Sequence, residues 1–474
     1  MTDSPGLTIA QRLAEFAVAS RYPSLPEPVG RSVRQRVLDI IGIAIAATPL
    51  ASSGSVASYA AEQGGKPEAH AVGIPHALPA PLAALVNGTL AHSLDYDDTH
   101  LPSVLHPSAT VVPAGLAAAE AAEATGAQAI AAIAAGLEIC VRLGMAGYDQ
   151  QARNSTYFDR GQHATSICGA IGAAATAALL GGLDADGVLH AMAIAVSMAG
   201  GVIEANRTGG TVKRMHCGWA AHAALTAAGL AARGMTGPPT VFEGRFGFFQ
   251  AFLSGQYNAD AIVGDLGERW EVPGIFFKPY PANHFTHAGI DAAMALRAKG
   301  VAIADVTHLQ LGVAAPTVHT IGEPIDVKRA PQTGYQAQFS GPYTVVTALM
   351  GGGGLGVSLD DFTDQAAQDP ARRAHLHKVE VVADPRCTEL FPEQFPAVLT
   401  ARLTDGSVIV EEVMHNRGGP GRPLSDADLD RKFNDNACRM LPPGNAANIK
   451  EAVARLDQLP SVSPCLLPAT DGPS

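Results

Sequence analysis

The chain predicts a mainly α protein: a large helical domain with a smaller α+β domain inserted towards its C-terminal end. Three observations carry this. Apolar residues make up 47% of the 474, alanine dominates them, and aromatics are only 5%, so helices can approach one another closely. Apolar positions recur at helical spacing from Thr8 to Leu230. Near Phe276 the composition shifts and strand-like runs follow. The expected limits are residues 1–276 for the first part of the helical domain, 277–414 for the α+β domain and 415–474 for the return. A chain of this length can hold two domains.

Taken in order, Thr8 to Ser20 predicts a helix, with Thr8 and Gln11 forming a capping box and Ile9, Leu13, Phe16 and Ala17 on one face. Pro23, Pro26 and Pro28 break the chain before a helix over Arg31–Ala47, whose second half is apolar all round and therefore reads as buried. Helices follow over Pro79–His92, Pro107–Ala124, Ala127–Met145, Thr165–Leu180, Asp184–Ala199 and Trp219–Leu230. Gly209 and Gly210 allow unusual backbone angles ahead of Lys213. Phe242, Phe246, Phe248, Phe249 and Phe252 read as core or interface filler.

Beyond Phe276 the expected elements are a helix over Ala288–Lys299 and strands over Leu309–Val313, Lys378–Val382, Ala397–Leu403 and Val408–Met414. A further helix is expected over Tyr335–Leu349, ending in glycines. Those glycines formally spell GxGxxG but follow a helix and lack a GKS or GKT ending, so they read as a C-cap and not a nucleotide loop. Ser425–Met440 and Ala446–Leu456 are the last helices.

The formal charge of -12 disfavours nucleic acid as a partner, and an anionic ligand would need a local cationic cluster. Six dispersed cysteines without CxxC spacing read as free thiols in a reducing compartment. No basic stretch followed by an apolar run opens the chain, and charges, prolines or glycine pairs interrupt the most apolar segments. No signal peptide and no membrane partner are expected, and the expected location is cytoplasmic.

Between Asn87 and Thr110 the sequence gathers His92, His100, His106, Asp95, Asp97 and Asp98 within mostly alanine, leucine and valine surroundings. Ionisable groups in apolar company have displaced pKa values and commonly build catalytic sites, although Asp and Thr also cap helices. His163, then Lys213, Arg214 and His216, then Lys278, His284 and His287 form three more groupings. Each has a plain structural alternative: an exposed lysine, a hydrogen-bonded core histidine. Converged, they would make a pocket for a small di- or tricarboxylate. Lysines and histidines bind carboxylates by charge-assisted hydrogen bonds, and one near-neutral group can remove a proton alpha to a carboxylate. Asp97, Asp98, His100 and His106 hold metal-ligand atoms but match neither HExxH nor EF-hand spacing, so no metal is expected. No GxSxG and no strand-opening GxGxxG occurs, so neither a serine nucleophile nor a dinucleotide cofactor is expected.

The ordered segments HSLDYDDT, HPS, GQHATSICGAIGAAA, GTVKRMHCGWAAHA, FEGRFG and KPYPANHFTHAGIDAA resemble the MmgE/PrpD family, which includes 2-methylcitrate dehydratase, cis-aconitate decarboxylase and iminodisuccinate epimerase. The resemblance covers nearly the whole chain. It implies a large all-helical domain, a smaller α+β lid domain, a homodimer and chemistry without a cofactor. It also implies site positions at Asp95, Thr99, His106, His163, Lys213 and Lys278. The expected roles are base for Lys213 or His163, and acid for His106 oriented by Asp95. Thr99, Arg214, Lys278 and His284 are expected to bind substrate, with Lys278 clamping a carboxylate from the lid. The expectation is a hydro-lyase like the dehydratase. Epimerisation, decarboxylation and a non-catalytic carboxylate-binding dimer are the alternatives.

Overall fold

A computed structural model describes residues 6–205 and 210–470. Its architecture is mainly helical, and it divides into two compact units: Met1–Ile275 with Phe433–Ser474, and Phe276–Lys432. Gly209 lies outside the described residues. Gly210 takes φ +105°, a conformation open to glycine.

The first unit is built from α1 (Ile9–Ala19), α2 (Glu27–Ala47), α3 (Ala51–Gln63), α4 (Ala80–His92), α5 (Ser108–Ala121), α6 (Gly126–Ala146), α7 (Ala164–Leu180), α8 (Ala185–Met198) and α9 (Val212–Ala231), with shorter turns between. Both halves of the Thr8/Gln11 capping box form, and Thr125 and Gln128 make a second one at the start of α6. α7 is buried along almost its whole length and packs against α5, α6, α8 and α9. A hairpin of two-residue strands, β1 (Tyr148–Asp149) and β2 (Asn154–Ser155), is a small departure from an all-helical unit.

Three further departures have physical causes. α3 escaped the periodicity because only Ser53 and Ala60 of its residues are buried, so it carries no apolar stripe. α9 begins at Val212, seven residues before the expected Trp219. Lys213 and Arg214 therefore occupy its first turn, where positive charge opposes the helix dipole and conceals the start. α6 has 21 residues and is long and apolar enough, by length and composition, to cross a membrane, against the expectation that no segment reaches that length. It is a core helix of this unit: 94% of its most apolar window is buried, and it carries the internal ion pair Glu138–Arg142 at 2.6 Å. Of the phenylalanine run, Phe242, Phe248 and Phe249 are core, but Phe246 is 87% exposed beneath the guanidinium of Arg245. It is not filler.

The second unit holds a four-stranded sheet of β3 (Val306–Val313), β4 (Val379–Ala383), β5 (Ala397–Leu403) and β6 (Val408–Val413), in the order β4-β3-β5-β6. β3 pairs in parallel with β4 and antiparallel with β5, and β5 with β6 is antiparallel. α10 (His287–Ala298) covers the sheet and packs on α12 (Gly341–Met350). The single helix expected over Tyr335–Leu349 is two, α11 (Gly334–Gln338) and α12. Pro342 cannot continue an α-helical hydrogen-bond ladder, and Ser340 caps the new start by accepting from the Tyr343 amide. Gly351, at φ +99°, closes α12 as the left-handed C-cap. The boundary between the units falls inside α13 (Asp426–Ala437), and α14 (Pro443–Ala454) belongs to the first unit.

Candidate active site

The site of the first unit starts from a close helix crossing. A Cβ on Gly218 of α9 would lie 2.2 Å from the Leu85 carbonyl oxygen, and one on Gly88 of α4 would lie 2.8 Å from the Gly218 Cα. Only glycine on both sides permits this approach. His92 ends α4 one turn past Gly88, and it is buried with Cys217 of α9 beside it.

The DYDDT segment then folds back over His92. Asp95 takes a left-handed φ of +52°, which aspartate tolerates better than most residues. Asp97 reaches His92, Oδ2 to Nδ1, at 2.7 Å, with both side chains sealed from solvent. The Asp98 carboxylate turns away. Arg36 donates to it at 2.7 Å and the Ser108 amide at 3.2 Å, which pins the loop to α2 and α5. The Ser103 hydroxyl lies 2.8 Å from His100 Nδ1, and Glu271 lies 3.6 Å from its Nε2. Asp97, Asp98 and His100 thus face separate partners. Among the described residues, no group of three or more His, Cys, Asp or Glu could hold a metal ion.

A backbone bridge between His100 and Leu105 reverses the chain. His106 returns beneath the loop, where its Nδ1 donates to the Asp98 carbonyl at 2.6 Å with the Thr99 hydroxyl at 3.3 Å. The Nδ1 proton fixes the tautomer, so the lone pair of the neutral ring sits on Nε2. The Thr165 hydroxyl accepts from the His106 amide at 3.1 Å and links this turn to the start of α7, where His163 is the N-cap residue. The His163 amide donates to Gly201, and its Nδ1 lies 3.1 Å from His216 Nδ1. Gly201, at φ +144°, is tight against both histidines: a Cβ would come within 3.1 Å of His163 and 3.3 Å of His216.

Four imidazoles therefore run in a row, with ring centroids 5.6 Å apart for His106–His92, 5.3 Å for His92–His163 and 5.1 Å for His163–His216. Burial pulls the His163 pKa well below its usual range, and His92, Lys213, His216 and His106 add to the fall. His216 is lowered to about 4 by burial and by the positive charge of His92 and Lys213. His92 goes the other way. Burial opposes its charge, but Cys217 and Asp97 outweigh burial and raise it to about 10.

Among the expected site residues, the first unit brings His106, His163, Lys213 and Thr99 together, with Asp95 at the head of the same loop. Lys213 is half-buried within electrostatic reach of His163 and His216. Arg214 points elsewhere and donates to the Ser52 hydroxyl of α3 at 2.9 Å. At His106 Nδ1 the orienting contact comes from the Asp98 carbonyl. Lys278 and His284 belong to the second unit. Lys278 is 1% exposed, and His284 is wedged among Phe276, Phe395 and His287. His92 and Asp97 stood in the expected ionisable cluster, but neither had a catalytic or substrate-binding role assigned to it. Their signal was present in the sequence: a histidine closing an apolar helix and an aspartate five residues on, close enough to fold back on it.

A helical unit that gathers histidines and a lysine around one buried row, joined to a small α+β unit, defines the class. Residues 11–260 match the MmgE/PrpD N-terminal domain and residues 280–458 the MmgE/PrpD C-terminal domain. The chain belongs to the MmgE/PrpD family. It is 28% identical to the cis-aconitate decarboxylase of Mus musculus over 468 residues, covering 96% of this chain and 92% of that protein. It is 29% identical to the cis-aconitate decarboxylase of Homo sapiens over 84% of this chain and 80% of that one. It is 27% identical to the cis-aconitate decarboxylase of Aspergillus terreus (strain NIH 2624 / FGSC A1156) over 81% and 80%.

Proposed function

We propose that this protein is a lyase that works without a cofactor on a small tricarboxylate and removes carbon dioxide from a substrate of the cis-aconitate type. The observation that carries the decarboxylase assignment is the likeness along nearly the full chain to proteins of that name. It is preferred to the dehydration expected from sequence. Lys213 and Lys278 would hold carboxylates, and desolvation would favour departure of the unpaired one. As the C–C bond breaks, its electron pair moves into the adjacent double bond and the next carboxylate. An imidazolium at His106 then delivers a proton to the carbon alpha to that carboxylate, and the cations stabilise the charge that develops. In this scheme Asp95 and Thr99 position His106. His163 is the alternative proton carrier, and His284 helps to bind substrate. Lys278 is the substrate-binding lysine of the second unit, and a homodimer in the cytoplasm is the working form.

Dehydration or epimerisation is the second choice, because at Asn283 and His319 the chain departs from the decarboxylase pattern. The decarboxylase pattern places a histidine at the position of Asn283, which here caps the turn before α10 by accepting from the Phe285 amide at 3.1 Å. Near the position of that pattern's later tyrosine this chain has Val318 and His319, and the His319 side chain is 87% exposed.

Proton NMR in D₂O with cis-aconitate, citrate, methylcitrate and iminodisuccinate decides. Loss of carbon dioxide with one deuterium in the product supports decarboxylation. A dehydrated product or alpha-deuterium exchange alone replaces it with the second choice. Binding without turnover or exchange removes both.

A further inference from the structure

The reaction outlined above gives no task to His92 or Asp97, yet this pair sits at the centre of the histidine row. The His92 ring is the only one of the four placed between two candidate proton carriers, with His106 at 5.6 Å on one side and His163 at 5.3 Å on the other. Its partner Asp97 approaches at 2.7 Å, and the side chains are 1% and 0% exposed. A carboxylate and an imidazole at that distance, out of water, form a charge-assisted hydrogen bond, which favours the protonated ring. On the far side, His163 and His216 meet Nδ1 to Nδ1 at 3.1 Å. That contact is a hydrogen bond only when a single proton lies between the two nitrogens; with both Nδ1 atoms protonated it becomes a repulsion.

We propose that His92 and Asp97 are a positioning dyad: Asp97 fixes His92 as a buried imidazolium, and this cation keeps the His163–His216 pair neutral and singly hydrogen-bonded. The groups facing His92 are Asp97, Cys217, His106 and His163. Those facing His163 are His92, Lys213, His216 and His106, none of them a carboxylate. The displaced titrations of His92 and His163 run in the directions this arrangement requires. The dyad thus acts through its neighbours, setting which of them can accept a proton. Its effect on turnover rests on the proposed lyase chemistry, whereas the protonation states do not.

The test is histidine ring ¹⁵N NMR on the full-length protein, with signals assigned through His92→Gln, His163→Gln and His216→Gln. The expected wild-type result at pH 8 is an imidazolium at His92 and neutral rings at His163 and His216. In Asp97→Asn, His92 becomes neutral at pH 8. Removing a cation about 5 Å away raises the His163 midpoint by about one to two pH units, and the midpoint also rises in His92→Gln. With cis-aconitate as probe, the pH profile of kcat/KM moves upward with that midpoint. A neutral His92 in the wild-type spectrum overturns the dyad, and so does a His163 midpoint unmoved in His92→Gln. The wild-type spectrum and the His92→Gln titration decide between these outcomes even if the Asp97 variant does not fold. A wild-type protein that turns over no polycarboxylate sinks the lyase assignment, while the spectra still test the dyad.

Discussion

His106 Nδ1 lies 2.6 Å from the main-chain oxygen of Asp98, so a backbone carbonyl selects the tautomer of this ring. The Asp98 side chain is held in turn by Arg36, and the loop cannot rotate without breaking that buried pair. One rigid turn therefore aims Nε2 of His106.

If His106 delivers the proton, His106→Ala loses turnover of cis-aconitate by roughly 10²–10⁴-fold, the ordinary contribution of a positioned acid. The loss falls on kcat more than on KM, because the group acts in the transition state. Steady-state kinetics with thermal melting check it. A variant within threefold of wild type removes His106 from the chemistry.

Lys213 and Arg214 are neighbours on α9 and are expected to separate sharply on substitution. Lys213 faces His163 and His216, whereas Arg214 is engaged with Ser52. Lys213→Ala is expected to lower kcat/KM by about 10²-fold or more, in line with loss of a charged group that stabilises the transition state. Arg214→Ala stays within about tenfold, the scale of one exchanged hydrogen bond. Equal losses would place Arg214 in the substrate site after all.

Arg36→Met leaves the Asp98 carboxylate buried beside Ser108 with its cationic partner removed. Deleting one member of such a pair costs about 3–5 kcal/mol. Chemical denaturation of both proteins reads the difference. A loss below about 1 kcal/mol would mean that water reaches Asp98 and that the loop is not held as described.

The helical fold was legible wherever burial is one-sided or complete, as in α1 with its Thr8/Gln11 box and in α7 with its unbroken apolar run. It was not legible in α3, whose serine-rich face buries little, nor at the start of α9, where Lys213 and Arg214 occupy a turn that disfavours cations. The site residues were identifiable by type, but their pairings were not. Nothing in spacing alone distinguishes Asp97, which binds His92, from Asp98, which binds Arg36. That choice follows from the left-handed turn at Asp95 and from the glycine crossing that carries His92 into place.

The histidine row also sets how stability responds to pH. His216 titrates at about 4 in the folded protein against an ordinary 6.5, so between those values the unfolded chain binds more protons and stability falls as pH falls. His163, depressed further by burial, extends the same loss towards lower pH. His92 works in the opposite sense: raised to about 10, its contribution is complete below 6.5 and is lost as pH rises through 10. The melting temperature should therefore peak near neutral pH and decline on both sides. In His216→Gln the acid decline between pH 6.5 and 4 should be shallower than in wild type, because one of the groups that must charge there is gone. In His92→Gln the alkaline decline should flatten instead, since no imidazolium remains to lose its proton between pH 6.5 and 10. Scanning calorimetry of the three proteins across that range separates the two limbs. If both variants only lower the whole curve without changing its slopes, the histidines contribute packing alone and the charges assigned to the row are wrong.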